Sequence, residues 1–144
     1  YPGTMDIGKA VVLAKAAEDA LKNQKENYEK AHTLHRFLFR ELAQIPTIAI
    51  NGGINNYSPY LLNFSVLGKN SETVMHYLES FDIYVATGSA CSSKLKKPQA
   101  TVLAMTKDEA RALSSIRVSL SSENTVEELR LLLDKLKLFC PEKQ

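Results

Sequence analysis

The stretch SIRVSL, running from Ser115 to Leu120, alternates polar and apolar side chains over its whole length. Successive side chains of a strand point to opposite faces, so this alternation predicts a strand that is buried on one face only. Shortly after it, Thr125 and Glu128 have the spacing of a helix capping box, and a leucine-rich amphipathic helix is predicted from there to about Pro141. Together these features are typical of a sheet with helices packed on one face.

Upstream of this stretch, the sequence predicts three more strands and one short helix. Runs of β-branched and aromatic residues bounded by turn residues indicate strands at 47–50, 61–67 and 82–87. An amphipathic run that opens at Ser71 and continues to Phe81 indicates a helix between the second and third of these strands. A loop is expected after the third strand, from residue 88 to residue 98.

The chain begins with a predicted helix of unusual length. From Met5 to about Gln44 there is no proline, alanine, leucine, lysine and glutamate dominate, and apolar residues recur mostly every three or four positions. A helix that long exceeds what a small core can cover, so we expect part of it to contact something outside this chain. The element order predicts an α+β fold: a small, mainly antiparallel sheet covered by helices on one face, with a long N-terminal helix.

Composition excludes several classes of protein. With 144 residues, 44% of them hydrophobic and 24% charged, the chain has the usage of one globular domain. A net charge of +2 is too small for a dedicated nucleic-acid binder. We find no apolar run that could span a membrane and no signal-peptide pattern, so we expect a cytoplasmic protein without membrane or direct nucleic-acid contacts. The two cysteines are expected to be reduced thiols.

The segment TGSACSSKLKKP, from Thr87 to Pro98, is the most unusual part of the sequence. Cys91 lies among small residues directly after a predicted strand, and three lysines follow within six positions. Nearby cations favour the thiolate over the thiol, which suits a nucleophile. The alternative, to which the chemistry alone gives equal weight, is a plain turn with a buried and inert cysteine.

Four motifs in order resemble the C-terminal part of the cysteine desulfurases. They are YPGT at the N-terminus, LNFSV in the second strand, TGSACSS around Cys91, and SSIRVSL in the fourth strand. These enzymes are pyridoxal-phosphate enzymes of the class V aminotransferase group, and the cysteine motif is similar to that of the branch that serves iron–sulfur assembly. The resemblance covers nearly the whole chain.

The resemblance implies a role for three residues. Cys91 would attack the sulfur of a bound L-cysteine and become a persulfide, releasing L-alanine. Arg117 would hold the substrate carboxylate with its planar guanidinium, the alternative being an outward-facing surface arginine on a strand. Thr4 would donate to the cofactor phosphate of the neighbouring subunit in a homodimer, the alternative being a helix N-cap.

The chain also departs from the family pattern. Tyr1 and Pro2 stand where the family usually has an arginine before its Gly-Thr, and we find no Ser-x-His-Lys motif for the cofactor lysine. We therefore expect residues 1–144 to be the small C-terminal domain of a longer enzyme, with the cofactor-binding large domain absent. Such a fragment should bind no pyridoxal phosphate and be inactive alone.

The resemblance also implies partners for the protein, and two alternative functions are considered beside it. The whole enzyme would take L-cysteine and pass sulfur to an acceptor protein, either an iron–sulfur scaffold or a tRNA-thiolation protein. The alternatives are a stand-alone sulfur-carrier or binding module and another class V enzyme such as a selenocysteine lyase.

Two weaker candidates remain on helices. His32 and His35 have a spacing that can share a metal ion, but no carboxylate or cysteine completes a set, and we expect a solvated helix face there. Cys140 follows the last helix at its frayed end and is expected to have no role.

Overall fold

A computed structural model of the chain describes residue 3 and residues 6–53, 57–88 and 98–140. Within these ranges it has five helices and four strands. The helices are α1 (Ile7–Leu42), α2 (Ser71–Glu79), α3 (Ala100–Thr106), α4 (Glu109–Leu113) and α5 (Val126–Phe139). The strands are β1 (Ile48–Asn51), β2 (Leu61–Val66), β3 (Ala86–Thr87) and β4 (Ser115–Ser119).

The four strands form one antiparallel sheet in the order β1-β2-β4-β3. The structure confirms the predicted α+β fold with a small antiparallel sheet and a long N-terminal helix. The three longest helices cover one face as predicted, and the two short helices α3 and α4 lie against the other face. Strand β4 lies inside the sheet between β2 and β3, which explains why its alternation is so regular. Its apolar residues Ile116 and Val118 are buried on one face, while Arg117 and Ser119 on the other face are exposed.

The hydrophobic core lies between the apolar face of the sheet and three helices, α1, α2 and α5. Phe64, Val66 and Ile116 contribute the sheet side, and all three are completely buried. The helices contribute leucines and one valine at helical spacing, namely Leu34, Leu38, Leu42, Val74, Leu78, Leu129, Leu132, Leu133 and Leu136. Burial of these side chains is the main source of stability for the fold.

Only the second half of α1 belongs to this core. Its buried residues begin at Ala31, whereas Ile7, Val11 and Leu21 are between 62% and 72% exposed. The expected exposed apolar stripe is therefore present, and what covers it stays a prediction.

The third strand is shorter than predicted, because residues 82–87 contribute only Ala86 and Thr87 to the sheet. Asp82 adopts a left-handed conformation with φ of 57° at the end of α2. Its N–H donates to the carbonyl of Glu79, and the N–H of Ile83 donates to the carbonyl of Leu78. This is the Schellman pattern. Asp82 and Ile83, which were predicted to begin the third strand, therefore end α2 instead.

The two short helices α3 and α4 were not predicted. Asp108 begins α4 by accepting a hydrogen bond from the backbone N–H of Arg111 at 3.0 Å. Both helices lie against the polar face of the sheet, since side chains of that face bond to Gln99 before α3 and to Arg111 in α4. Together they position the site described next.

Candidate substrate site on the polar face of the sheet

One row of side chains crosses the polar face of the sheet. Asn51 in β1 is paired with Asn63 in β2, Asn63 with Arg117 in β4, and Arg117 with Ala86 in β3. Directly paired residues of antiparallel strands point to the same face, so these four side chains are neighbours. The predicted site residue Arg117 thus lies beside two asparagines that the sequence analysis did not single out.

A buried hydrogen-bond network begins at the β1 end of this row. Arg111 donates from both Nε and Nη2 to Oδ1 of Asn51, at 3.1 and 2.8 Å, and also from Nη2 to the carbonyl of Ile50 at 2.8 Å. Nδ2 of Asn51 donates to Oδ1 of Asn63 and to Oγ of Ser65, both at 2.7 Å. Bonds on every polar atom of a buried amide hold its orientation.

Gln99 joins this network from the start of α3. Its Oε1 accepts a bond from Nδ2 of Asn63 at 3.4 Å and a second bond from the hydroxyl of Ser115. Its backbone N–H donates to the carbonyl of Ala112 at 3.1 Å, which fixes α3 to α4. The side chain therefore turns to the sheet and leaves the N-terminus of α3 without a side-chain cap.

Gly88 lies directly against the side chain of Gln99. A Cβ at residue 88 would come within 2.5 Å of Cγ and 2.7 Å of Cβ of Gln99, so only glycine fits this approach. Residues 88 and 99 flank the segment that carries Cys91. The two ends of that segment are thus held together beside the row that contains Arg117.

A cavity of about 500 Å³ opens next to this row. Within the described ranges its wall holds no Asp, Glu or Lys, and the guanidinium of Arg117 forms no hydrogen bond or ion pair. The wall combines polar and apolar groups, including Asn51, Tyr57, Asn63, Gln99, Thr101, Met105 and Arg117. An unpaired guanidinium in a concave site without carboxylates is suited to an anionic ligand.

The other two predicted site residues, Cys91 and Thr4, lie outside the described residues. Cys91 follows Ala86, the strand partner of Arg117, by five positions in the sequence.

The expectation of a solvated face for His32 and His35 is wrong. His35 is only 5% exposed and stacks on Tyr57 with 4.3 Å between ring centroids, and half-buried His32 stacks on the same ring at 6.0 Å. Loop residue Tyr57 covers this face of α1, which helix periodicity alone could not reveal. No cluster of three or more potential metal ligands occurs among the residues that the structure describes.

The surroundings of His35 favour its neutral form. Burial lowers the pKa of the imidazole, the backbone of Leu61 acts in the opposite direction, and His32 adds a further lowering. Its Nδ1 is buried and has no hydrogen-bond partner within the described part of the chain. A charged imidazole would therefore be poorly accommodated here.

Cys140 is not at a frayed end, contrary to the expectation from sequence. It is only 6% exposed, belongs to the hydrophobic core, and its N–H donates to the carbonyl of Leu136 at 3.0 Å. Its role is in packing.

Four residues of the site, Asn51, Asn63, Gln99 and Arg111, were missed by sequence reasoning. Asn51 was interpreted only as part of a turn, and Gln99 and Arg111 lie in a segment with no predicted element. A signal was present for Asn63, because an asparagine inside a strand is unfavourable unless its amide has partners. Its partners Asn51 and Gln99 are 12 and 36 residues away in sequence, so spacing could not identify them.

Comparison with known proteins agrees with this fold. Residues 1–132 match the family model for class V aminotransferases. The chain belongs to this family.

Two curated relatives indicate which members of the family the chain is similar to. The chain is 35% identical over 127 residues to a NifS/IcsS protein homolog of Lactobacillus delbrueckii subsp. bulgaricus, with 88% of this chain and 33% of the relative covered. It is also 35% identical over 136 residues to cysteine desulfurase IscS of Clostridium botulinum, with 92% and 34% covered. The chain thus spans about a third of the length of these relatives, consistent with a fragment of a cysteine desulfurase.

A solved structure of a NifS-like protein superposes with a TM-score of 0.79 at 25% identity, covering 95% of this chain and 34% of that one. The described helices include none with the length and apolarity needed to cross a membrane.

Proposed function

We propose that the chain is the small C-terminal domain of a pyridoxal-phosphate-dependent cysteine desulfurase. The observation that carries the proposal is the position of Arg117. It lies in a cavity without a partner among the described residues, and its strand partner Ala86 leads into the segment that contains Cys91. The family membership and the length of the relatives support a larger enzyme, and in this proposal its large domain precedes residue 1.

In this proposal Arg117 binds the α-carboxylate of L-cysteine. A guanidinium can donate two parallel N–H bonds to a carboxylate, and such charge-assisted pairs are stronger than neutral hydrogen bonds. The cavity wall contributes no described carboxylate that would compete for Arg117. The bound amino acid is thereby oriented with its side chain free to meet the nucleophile.

Cys91 then removes the sulfur atom. Its thiolate forms a bond to the sulfur of L-cysteine while that sulfur separates from its carbon. The electron pair of the broken bond stays with the carbon, which takes up a proton and leaves as L-alanine. Cys91 retains the sulfur as a persulfide and passes it to an acceptor protein, either an iron–sulfur scaffold or a tRNA-thiolation protein.

The described wall of the cavity does not fit the cofactor by itself. Pyridoxal phosphate requires a lysine, and the described cavity wall contains none. Lys9 and Lys15 are exposed on α1 and paired with carboxylates. We therefore assign cofactor attachment to the remainder of a full-length, cytoplasmic homodimer, in which Thr4 donates to the phosphate of the partner's cofactor.

The test uses the full-length enzyme and two substitutions. Cys91→Ser should abolish alanine release from L-cysteine but leave the cofactor bound. Arg117→Lys should raise KM for L-cysteine about tenfold, since one of two charged hydrogen bonds is lost. Arg130→Lys, at an exposed arginine on α5, is the matched control and should change neither constant.

Retained alanine release by the Cys91→Ser enzyme would overturn the proposal. A full-length gene without a cofactor lysine would instead favour the stand-alone sulfur-carrier or binding module. Release of alanine from selenocysteine but not from cysteine would favour a selenocysteine lyase.

A further inference from the structure

The orientation of every amide near Arg117 follows from Arg111. A guanidinium has only donors, so the atom of Asn51 that contacts Arg111 at 2.8 and 3.1 Å must be the acceptor Oδ1. Nδ2 of Asn51 then faces Asn63, whose contacting atom at 2.7 Å must in turn be its oxygen. Arg111 thereby determines which end of Asn63 faces the neighbouring Gln99.

The orientation of Asn63 in turn determines that of Gln99. Asn63 presents Nδ2 to Gln99, so Gln99 turns its Oε1 toward the sheet, where it also accepts the hydroxyl of Ser115. Both contacts use the same oxygen. The Nε2 amide group is left with two donors that have no hydrogen-bond partner within the described ranges.

Gln99 and Arg117 lie in the wall of the same cavity. Its described wall is free of Asp and Glu, and both of these side chains carry N–H donors. A site that offers several donors and no negative charge is complementary to a carboxylate.

From this arrangement we infer that Gln99 is a second binding residue for the α-carboxylate of the substrate, with its orientation set by Arg111 through Asn51 and Asn63. The inference rests on the proposed function for the identity of the amino acid. Arg111, which does not line the cavity, and Asn51, which is part of its wall, are positioning residues.

The test compares two ligands in the full-length protein with Cys91→Ser, which cannot turn over. L-Cysteine has the carboxylate and cysteamine lacks it. Gln99→Met keeps the volume but removes the donors, so it should weaken binding of L-cysteine about tenfold and leave cysteamine binding unchanged. Gln44→Met, at an exposed glutamine after α1, is the matched control and should affect neither ligand.

Gln99→Glu tests the effect of a negative charge at the same position. Glutamate can still accept from Ser115 and Asn63, but it presents a negative oxygen where Nε2 was. It should weaken L-cysteine binding more than Gln99→Met does, because two carboxylates repel each other. Cysteamine should again be unaffected.

A second variant tests the relay at Asn51, a wall residue whose Nδ2 is already bonded to Asn63 and Ser65. In Asn51→Asp both oxygens accept, so Asn63 must turn its Nδ2 toward residue 51 and its oxygen toward Gln99. Gln99 would then rotate and expose Oε1 to the cavity. L-Cysteine binding should fall about tenfold while cysteamine binding and thermal stability stay close to those of the unmodified protein.

The outcomes separate this inference from the proposed function. Equal loss for both ligands, or no loss for L-cysteine, in Gln99→Met would overturn the inference even if the enzyme releases alanine. A protein with no alanine release that still shows the Gln99-dependent preference for L-cysteine would overturn the function and retain the carboxylate site. Failure to bind L-cysteine at all would overturn both.

Discussion

At the scale of single residues, the two cysteines have contrasting surroundings. Cys140 is 6% exposed in the core, whereas Cys91 is followed by Lys94, Lys96 and Lys97. A buried thiol is sheltered from reagents, and nearby cations favour the reactive thiolate, although salt screens exposed charges. Cys91 should therefore react with iodoacetamide much faster than Cys140, as measured by mass spectrometry of timed samples. Faster labelling of Cys140 would favour the inert-turn interpretation of Cys91.

His35 makes stability depend on pH. Its pKa is lowered in the folded state, so the unfolded chain binds a proton more readily below the ordinary histidine value of about 6.5. The stabilising contribution is present above that value and is lost as pH falls toward the folded-state pKa. Urea unfolding at a series of pH values should show this loss, and His35→Phe should reduce it.

The control for this measurement is His76→Phe. His76 has an exposed side chain on α2, so its substitution removes a histidine without changing the buried aromatic cluster. An identical pH profile for the His35→Phe protein and the unmodified protein would show that His35 does not titrate between the two states.

At the scale of elements, α5 begins at a capping box that the sequence predicted. Oγ1 of Thr125 accepts from the N–H of Glu128 at 3.2 Å, and the carboxylate of Glu128 accepts from the N–H of Thr125 at 3.0 Å. Thr125→Ala should lower the free energy of unfolding by about 1 kcal/mol, measured by urea titration.

A threonine inside α1 provides the comparison. Thr33 is exposed and bonds only to the carbonyl of Glu29, so Thr33→Ala should leave stability unchanged or slightly raise it. Equal effects of the two substitutions would mean that the cap adds nothing to α5.

At the scale of the whole molecule, α1 extends beyond the core that the other elements form. It is 36 residues and roughly 54 Å long, and only its second half is buried. An exposed apolar stripe of this kind marks an interface. In the proposed enzyme the large domain and the partner subunit would cover it.

The isolated chain should consequently self-associate through this stripe. Light scattering over a concentration series should show a mass above that of the monomer, and Val11→Lys with Leu21→Lys should reduce it. Leu138→Lys, at a 68% exposed leucine on α5, should leave the mass unchanged. A monomer at every concentration would contradict the prediction.

The elements that could be predicted from the sequence are those with local signals. Capping at Thr125, alternation in 115–120 and helical spacing in α1 each depend on neighbours a few residues apart, so they are visible without a partner. The order of the motifs also sufficed to indicate the family. These features decide which side of an element is apolar, but they do not say which other element covers that side.

The composition of the site, in contrast, depends on contacts between distant segments of the chain. Arg111 meets Asn51 across 60 residues, and Tyr57 covers His35 from a loop. Such contacts depend on how the sheet order β1-β2-β4-β3 brings distant segments together, which no local period encodes. The same holds for the burial of Cys140, because the exposure of a helix end depends on the elements that pack around it.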